Sequence, residues 1–115
     1  MKEKLKILVI RFSSIGDIIL TTPIIGCLKL QLHAEIDFLT KPIYKDIMIS
    51  NPNISEVYTF SQFSKTIDVL RSKDYDFVID LQNNLRSLKL RLILGVKSYT
   101  FPKQNFKRYL LIYFG

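Results

Sequence analysis

The chain has 115 residues, of which 48% are hydrophobic and 23% charged, and its formal net charge is +7. These values are typical of one globular domain with its own core and exclude intrinsic disorder. The single cysteine, Cys27, excludes an internal disulfide and gives no metal-ligand spacing, so we expect a small buried residue in a cytosolic protein. No apolar run reaches the roughly 18 residues of a membrane span, which favours a soluble or peripheral protein.

Apolar runs and helical spacings alternate along the chain. The predicted strands are Leu5–Phe12, Glu35–Thr40, Glu56–Phe60, Phe77–Leu81 and Val96–Phe101. The predicted helices are Asp17–Leu32, Ile43–Ser50, Gln62–Ser72 and Leu85–Leu94, with Gly95 ending the last of them. Repeated β-α units predict a mostly parallel, doubly wound sheet with helices on both faces. The fold class is therefore α/β, a Rossmann-like domain over residues 1–115.

The excess positive charge lies in the last third of the chain. Residues 1–80 contain ten basic and ten acidic residues, whereas residues 81–115 contain seven basic and no acidic residues. This asymmetry indicates an anionic partner, such as a phosphorylated sugar or a lipid headgroup, and a solvated basic surface is the structural alternative. No nucleic acid is expected, because the basic residues are not interleaved with aromatic residues in a recognised motif.

The first candidate site lies in KILVIRFSSIGDIILTTPII, where the first strand runs into the first helix. Ser13, Ser14 and Gly16 form the predicted turn, and the helix is predicted to begin at Asp17. Ligands bind at the carboxyl ends of strands in open α/β sheets, and free amides at a helix start favour an anion or a sugar oxygen. In the structural alternative, Asp17 is only the helix N-cap and the serines form the turn. The turn is neither a GxGxxG motif nor a P-loop.

The second candidate site is DLQNNLRS, from Asp80 to Ser87, again at a strand end. If the sheet places the two strands side by side, Asn83, Asn84 and Arg86 would point towards Asp17. Arg86 would then pair with a carboxylate or phosphate, and the amides would hydrogen-bond sugar hydroxyls. The alternative is that an asparagine caps the helix and Arg86 is solvated.

Together, RFSSIGDIILTTPII and DLQNNLRS resemble two motifs of the ADP-heptose:lipopolysaccharide heptosyltransferases, glycosyltransferase family 9. The resemblance extends over essentially the whole chain. It implies a GT-B enzyme of two Rossmann-like domains, of which this chain would be the N-terminal, acceptor-side domain without the C-terminal nucleotide-sugar domain. It also implies transfer of heptose from ADP-heptose to the lipopolysaccharide inner core with inversion and without a metal or other cofactor, in the cytoplasm and in possible contact with the inner membrane.

The resemblance also assigns roles to residues. Asp17 would be the catalytic base that accepts the proton of the acceptor hydroxyl. The predicted substrate-binding residues are Ser13, Ser14, Gly16, Asn83, Asn84 and Arg86. Because the donor-binding half is missing, the 115-residue chain is expected to be inactive alone.

Two other classes of protein remain open at this stage. One is a stand-alone Rossmann-like binding module for an anionic glycan or a lipid surface. The other is a flavodoxin-like or receiver-like domain, but a receiver should show clustered acidic residues, and Asp80 has no such neighbour near the first strand. His33 is expected in a loop or at a helix C-cap. The apolar end, 106–115, either packs on the domain or continues into a longer protein.

Overall fold

The computed structural model describes residues 4–60 and 63–100, without the side chain of Phe63. Its strands are β1 (Lys6–Ile10), β2 (Glu35–Thr40), β3 (Glu56–Thr59), β4 (Phe77–Asp80) and β5 (Lys97–Thr100). Its helices are α1 (Ile15–Leu32), α2 (Lys45–Ile49), α3 (Phe63–Ser72) and α4 (Leu85–Leu94). Each predicted element is present, but the one predicted over Ile43–Ser50 is split, with a 3₁₀ turn at Pro42–Tyr44 before α2. The predictions for Gln62, Phe101 and the apolar end lie outside the described residues.

The strands form one parallel sheet in the order β3-β2-β1-β4-β5. The chain winds from β1 outwards to β3, returns past β1, and continues through β4 and β5 on the other side. This confirms the doubly wound α/β fold and places the reversal of strand order between β1 and β4. In open α/β sheets, ligands bind outside the carboxyl ends of the strands at this position.

The sheet is covered on both faces, so β1 is buried on both sides. Residues of one face pack with α1 and α2 in a cluster that includes Ile7, Val9, Ile18, Ile25 and Met48. Residues of the other face pack with α3 and α4 in a cluster that includes Leu8, Ile10, Ile67, Leu70 and Leu90. Burial of these side chains, each worth about 1.5–3 kcal/mol, fixes the two layers that position the strand ends.

Helix α1 begins at Ile15, two residues before the predicted start at Asp17. It ends at Leu32. His33 follows as the C-cap, with a φ of 51° and a backbone N–H that donates to the Lys29 carbonyl, which confirms its predicted position. Gly95 ends α4 with a φ of 67°, also as predicted. Cys27 is only partly buried, so its assignment as a fully buried residue is wrong. Cys27 lies on α1 but is not among the residues of this helix that pack in the core cluster against the sheet.

Helix α1 also corrects the sequence-based statement on membrane spans. Its 18 residues have a mean hydropathy of 1.4, so by length and composition alone it could cross a membrane. Core helices of soluble proteins and signal sequences near the N-terminus meet the same criterion. Here Ile18 and Ile25 of this helix are fully buried against the sheet.

A polar pair is buried within the α3 and α4 side of the sheet. The Tyr75 hydroxyl donates to Oδ2 of Asp37 at 2.6 Å. Burial raises the pKa of Asp37, because an ionised carboxylate is poorly solvated there, and the hydrogen bond from Tyr75 only partly offsets this. Burial and the neighbouring carboxylate also raise the pKa of Tyr75.

Candidate functional site

The two turns singled out in the sequence lie side by side at the carboxyl edge of the sheet. Strands β1 and β4 are neighbours, and Ile10 is in register with Asp80. Oε1 of Gln82 accepts the backbone N–H of Phe12 at 3.0 Å and that of Ser13 at 3.4 Å. The condition on which the crevice prediction depended is therefore met.

Arg11, which directly follows β1, connects the turns through its side chain. It is only 4% exposed. Its Nη1 donates to the Leu81 carbonyl at 2.6 Å, and its Nη2 lies 2.8 Å from Oδ2 of Asp17. A buried guanidinium needs such partners to offset its desolvation, so the contacts hold the end of β4 and the start of α1 in one arrangement.

Asp17 lies in the first turn of α1 and does not begin the helix. The N-cap is Ser14, whose hydroxyl makes no capping bond and instead donates to Oδ2 of Asp17 at 3.0 Å. The N-cap interpretation of Asp17 is therefore wrong. Asp17 occupies the third helical position, where a carboxylate interacts favourably with the helix dipole.

The surroundings of Asp17 favour its ionised form. Partial burial is the largest single influence and raises the pKa of Asp17, but hydrogen bonds from Ser14 and the charge of Arg11 together hold it below its usual value. The side chain keeps 32% of its exposure, so it is open to solvent or a ligand. Asp17 is thus a positioned, accessible carboxylate that can accept a proton.

Asp80 shapes the second turn from inside the domain. Its side chain is fully buried, and Oδ1 accepts the backbone N–H groups of Gln82 and Asn83 at 3.0 and 2.8 Å. Oδ2 lies 2.8 Å from Nε of Arg91 on α4. The contact with Arg91 is an ion pair in which neither of the two atoms makes a hydrogen bond. Asp80 therefore faces α4 and holds the loop in place.

The two asparagines differ in their surroundings. Oδ1 of Asn84 accepts a hydrogen bond from the backbone N–H of Ser87 at 2.9 Å. Oγ of Ser87 accepts one from the backbone N–H of Asn84 at 2.9 Å, and the two bonds form a capping box. The capping alternative is thus confirmed for Asn84. Asn83 is exposed and has a φ of 50°, in the left-handed region that asparagine tolerates. Their substrate-binding roles stay predictions.

An open cleft of about 450 Å³ lies above the two turns, lined by Phe12, Ser13, Lys41, Gln82, Asn84, Leu85 and Arg86. The structure therefore brings Ser13, Asn84 and Arg86 together on one cleft. The guanidinium of Arg86 lies over the Phe60 ring, 5.5 Å from its centroid. The other four predicted site residues, Ser14, Gly16, Asp17 and Asn83, do not line this cleft.

Gly16 differs from its predicted part in the turn. It lies within α1, and Gly95 is the only glycine with positive φ in the described ranges. The tight-turn role is therefore wrong. A Cβ at Gly16 would meet no atom within 4 Å, so packing leaves the space beside it open to a ligand.

Sequence reasoning missed three polar residues at the site. Arg11 and Lys41 directly follow the last residues of β1 and β2, and Gln82 follows β4 by two positions. A charged or amide side chain just after a buried strand is a signal that could have found them, since strand ends carry ligand sites in this fold. Among residues 4–60 and 63–100, no group of three His, Cys, Asp or Glu side chains is placed to hold a metal ion.

Comparisons with known proteins give one relative and several related structures. No family model matches the chain. The chain is 26% identical over 111 residues to lipopolysaccharide heptosyltransferase 1 of Campylobacter coli. The alignment covers 90% of this chain and 32% of that protein. It therefore spans about a third of the length of this relative.

Solved structures agree with this relationship. A glycosyl transferase of family 9 from Veillonella parvula superposes with a TM-score of 0.75 at 23% identity, over 87% of this chain and 33% of that one. The ADP-heptose lipopolysaccharide heptosyltransferase II of E. coli gives 0.74 at 25% identity, over 84% and 30%. The E. coli heptosyltransferase WaaC with ADP gives 0.75 at 20% identity, over 90% and 36%. These findings confirm the resemblance to family 9 heptosyltransferases and the fold expected from it.

Proposed function

We propose that this chain, related to about a third of a family 9 heptosyltransferase, forms the N-terminal, acceptor-side part of an inverting glycosyltransferase. The enzyme would transfer heptose from ADP-heptose to the inner core of lipopolysaccharide. The observation that carries the proposal is the placement of Asp17, an accessible carboxylate at the strand-order reversal of a chain similar to these enzymes.

The proposed reaction is a single displacement in which Asp17 is the general base. The acceptor O–H bond breaks and its proton passes to the Asp17 carboxylate, while the oxygen lone pair forms a bond to the anomeric carbon of heptose. The bond from that carbon to the diphosphate breaks, and its electron pair leaves with ADP. Attack from the side opposite the leaving group inverts the anomeric configuration.

The contacts of Asp17 suit this role in two ways. The hydrogen bond from Ser14 and the ion pair with Arg11 fix the carboxylate in one position, as a general base requires. The lowered pKa keeps the group deprotonated at neutral pH but also makes it a weaker base. Proton transfer would therefore occur late, as the bond to the anomeric carbon forms and the hydroxyl becomes more acidic.

The proposal has further parts, which rest on the family resemblance of the two sequence motifs. Donor binding is expected outside these 115 residues, so the isolated chain should bind acceptor without transferring sugar. The proposed enzyme needs no metal or other cofactor, acts in the cytoplasm and meets its lipid-linked acceptor at the inner membrane. Helix α1 stays packed on the sheet in this proposal and does not anchor the protein.

The test uses Asp17→Asn in a longer chain that carries these residues and transfers heptose. We expect turnover to fall by about 10²–10⁴-fold with acceptor affinity retained, because the amide cannot accept the proton. Asp46→Asn is the matched control, since Asp46 is an exposed acid in the first turn of α2. If Asp17→Asn changes only stability and leaves turnover per folded molecule intact, the general-base proposal fails and Asp17 has a purely structural role.

The same experiment separates the enzyme from a stand-alone binding module. A module that holds an anionic glycan would bind its ligand with or without Asp17 and would transfer nothing in any context. Transfer by the purified 115-residue chain itself would instead contradict the need for a second, donor-binding part.

A further inference from the structure

The cleft above the two turns is positively charged. Its lining contains two cations, Lys41 and Arg86, and no carboxylate. Within the described ranges, neither cation forms a salt bridge with an acidic side chain. Cations that share a concave surface without internal counter-ions raise the local concentration of anions.

The two cations come from different elements of the fold. Lys41 follows β2, and Arg86 lies in the first turn of α4. The backbone N–H of Phe60 donates to the Thr40 carbonyl at 3.0 Å, which holds Phe60 next to Lys41. The Phe60 ring lies under the Arg86 guanidinium, so one aromatic residue connects the two cation positions.

Other groups of the cleft complement an anion. The Phe12 ring packs against the Phe60 ring, with centroids 5.4 Å apart, and Phe12 contributes apolar surface to the cleft. The first backbone N–H groups of α4 have no acceptor within the helix, and Asn84 satisfies only that of Ser87. The residues that line the cleft thus supply cations, a backbone N–H donor and apolar surface.

We propose that Lys41 and Arg86 together bind one oxyanion group, a phosphate or a carboxylate, in this cleft. Arg86 presents a planar pair of N–H donors to two oxygens, and Lys41 adds a mobile point charge. The proposal assigns Lys41 as a binding residue and an oxyanion as the ligand of the cleft. It rests on the proposed function only for the source of the anion, which would be a charged group of the acceptor.

The test measures anion binding to the 115-residue chain itself by NMR titration with inorganic phosphate and, separately, with acetate. The observed signals are the backbone amides of residues 41 and 82–86. We expect both anions to shift these signals, with phosphate bound more tightly because of its second charge. Lys41→Met and Arg86→Met should each weaken phosphate binding by about fivefold, the worth of one charge contact in water.

The matched control is Lys97→Met. Lys97 is also an exposed lysine, but it is the first residue of β5 and therefore lies at the amino edge of the sheet, opposite to the carboxyl edge that carries the cleft. All three replaced side chains are exposed, so the variants should fold, and urea unfolding checks this. Arg86→Lys should retain part of the affinity, since it keeps the charge but not the planar pair of donors.

The proposal is overturned if phosphate and acetate leave the cleft amides unshifted, or if Lys41→Met binds phosphate as tightly as Lys97→Met does. Acetate binding as tight as that of phosphate supports the oxyanion site and identifies a carboxylate as its ligand. Because no sugar donor is present, a negative result leaves the role of Asp17 untouched. Conversely, phosphate binding would persist even if Asp17→Asn showed that the transferase proposal is wrong.

Discussion

Nη2 of Arg11 lies 2.8 Å from Oδ2 of Asp17, with Arg11 buried and Asp17 partly open to solvent. The buried partner cannot move without disturbing the core, whereas the carboxylate of Asp17 is accessible to solvent. The ion pair therefore holds the Asp17 carboxylate in a fixed position relative to the sheet. Through its second nitrogen, Arg11 also donates to the Leu81 carbonyl, so the same side chain sets the position of the neighbouring turn.

Arg11→Met should raise the pKa of Asp17. The replacement removes a positive charge and a hydrogen-bond donor from the carboxylate, and both of these lower the pKa in the wild type. Carboxyl carbon NMR of the 115-residue chain over an acidic pH series measures this directly. Ser14→Ala should act in the same direction through loss of its hydrogen bond, and an unchanged Asp17 titration in Arg11→Met would show that the pair is electrostatically unimportant.

The sequence predicts the fold well because the fold depends on patterns it displays directly. Continuous apolar runs identify β1 and β2, and the glycine after Leu94 marks the end of α4. The order of the strands is not determined by these patterns, because right-handed crossovers are compatible with more than one parallel arrangement. The predicted start of α1 is two residues late because Ile15 and Gly16 give no helical signal of their own. Ser14 occupies the N-cap position with extended backbone, although its hydroxyl makes no capping bond.

The site is less visible in the sequence than the fold. The prediction placed Arg86 near Asp17, yet the cation paired with Asp17 is Arg11. An arginine that ends an apolar strand looks like its solvent-facing boundary, and only the three-dimensional structure shows that it is buried. Lys41 escaped notice for a related reason, since β2 is distant in sequence from both motifs and reaches the cleft only through the sheet order.

Arg91→Met should strongly destabilise the domain, by about 3–5 kcal/mol, because it leaves the buried Asp80 carboxylate without its counter-ion. Asp80→Asn should cost less. The Arg91 side chain that loses its partner is 17% exposed, and the oxygen of the new asparagine can still accept hydrogen bonds from the backbone N–H groups of Gln82 and Asn83. Urea unfolding of both single variants and the double variant measures the coupling. Additive costs in this cycle would contradict the pairing.

The buried Asp37 and the accessible Asp17 should affect stability in opposite directions as the pH falls. Protonation of Asp37 should favour the folded state, whereas protonation of Asp17 should disfavour it. The pKa of Asp37 is raised in the folded state, so the folded protein binds this proton more readily and gains stability from it as the pH falls from neutral. Asp37→Asn abolishes that gain. Urea unfolding between pH 7 and about pH 4 should therefore show the variant losing stability relative to wild type as the pH decreases.

Tyr75→Phe provides the control for Asp37. Removing the hydroxyl takes away a hydrogen bond to the ionised carboxylate, so the pKa of Asp37 should rise further and the gain on acidification should grow. Loss of a buried hydrogen bond should also lower overall stability by about 1–3 kcal/mol. Parallel stability curves for wild type and Asp37→Asn would show that Asp37 titrates alike in the folded and unfolded chains.

Gly16→Ala separates a structural role of the first turn from a ligand-binding one. Gly16 lies in α1, and a Cβ there meets no atom within 4 Å, so alanine should stabilise the helix by about 0.5–1 kcal/mol. Gly26→Ala is the matched control, because it is in the same helix and its Cβ would make only an ordinary 3.7 Å contact with Asn53. If the acceptor approaches this turn closely, Gly16→Ala alone should weaken acceptor binding although both variants are more stable in urea. Equal acceptor affinities in the two variants would remove Gly16 from the binding site and leave Ser13, Ser14 and Asp17 as its candidates in this turn.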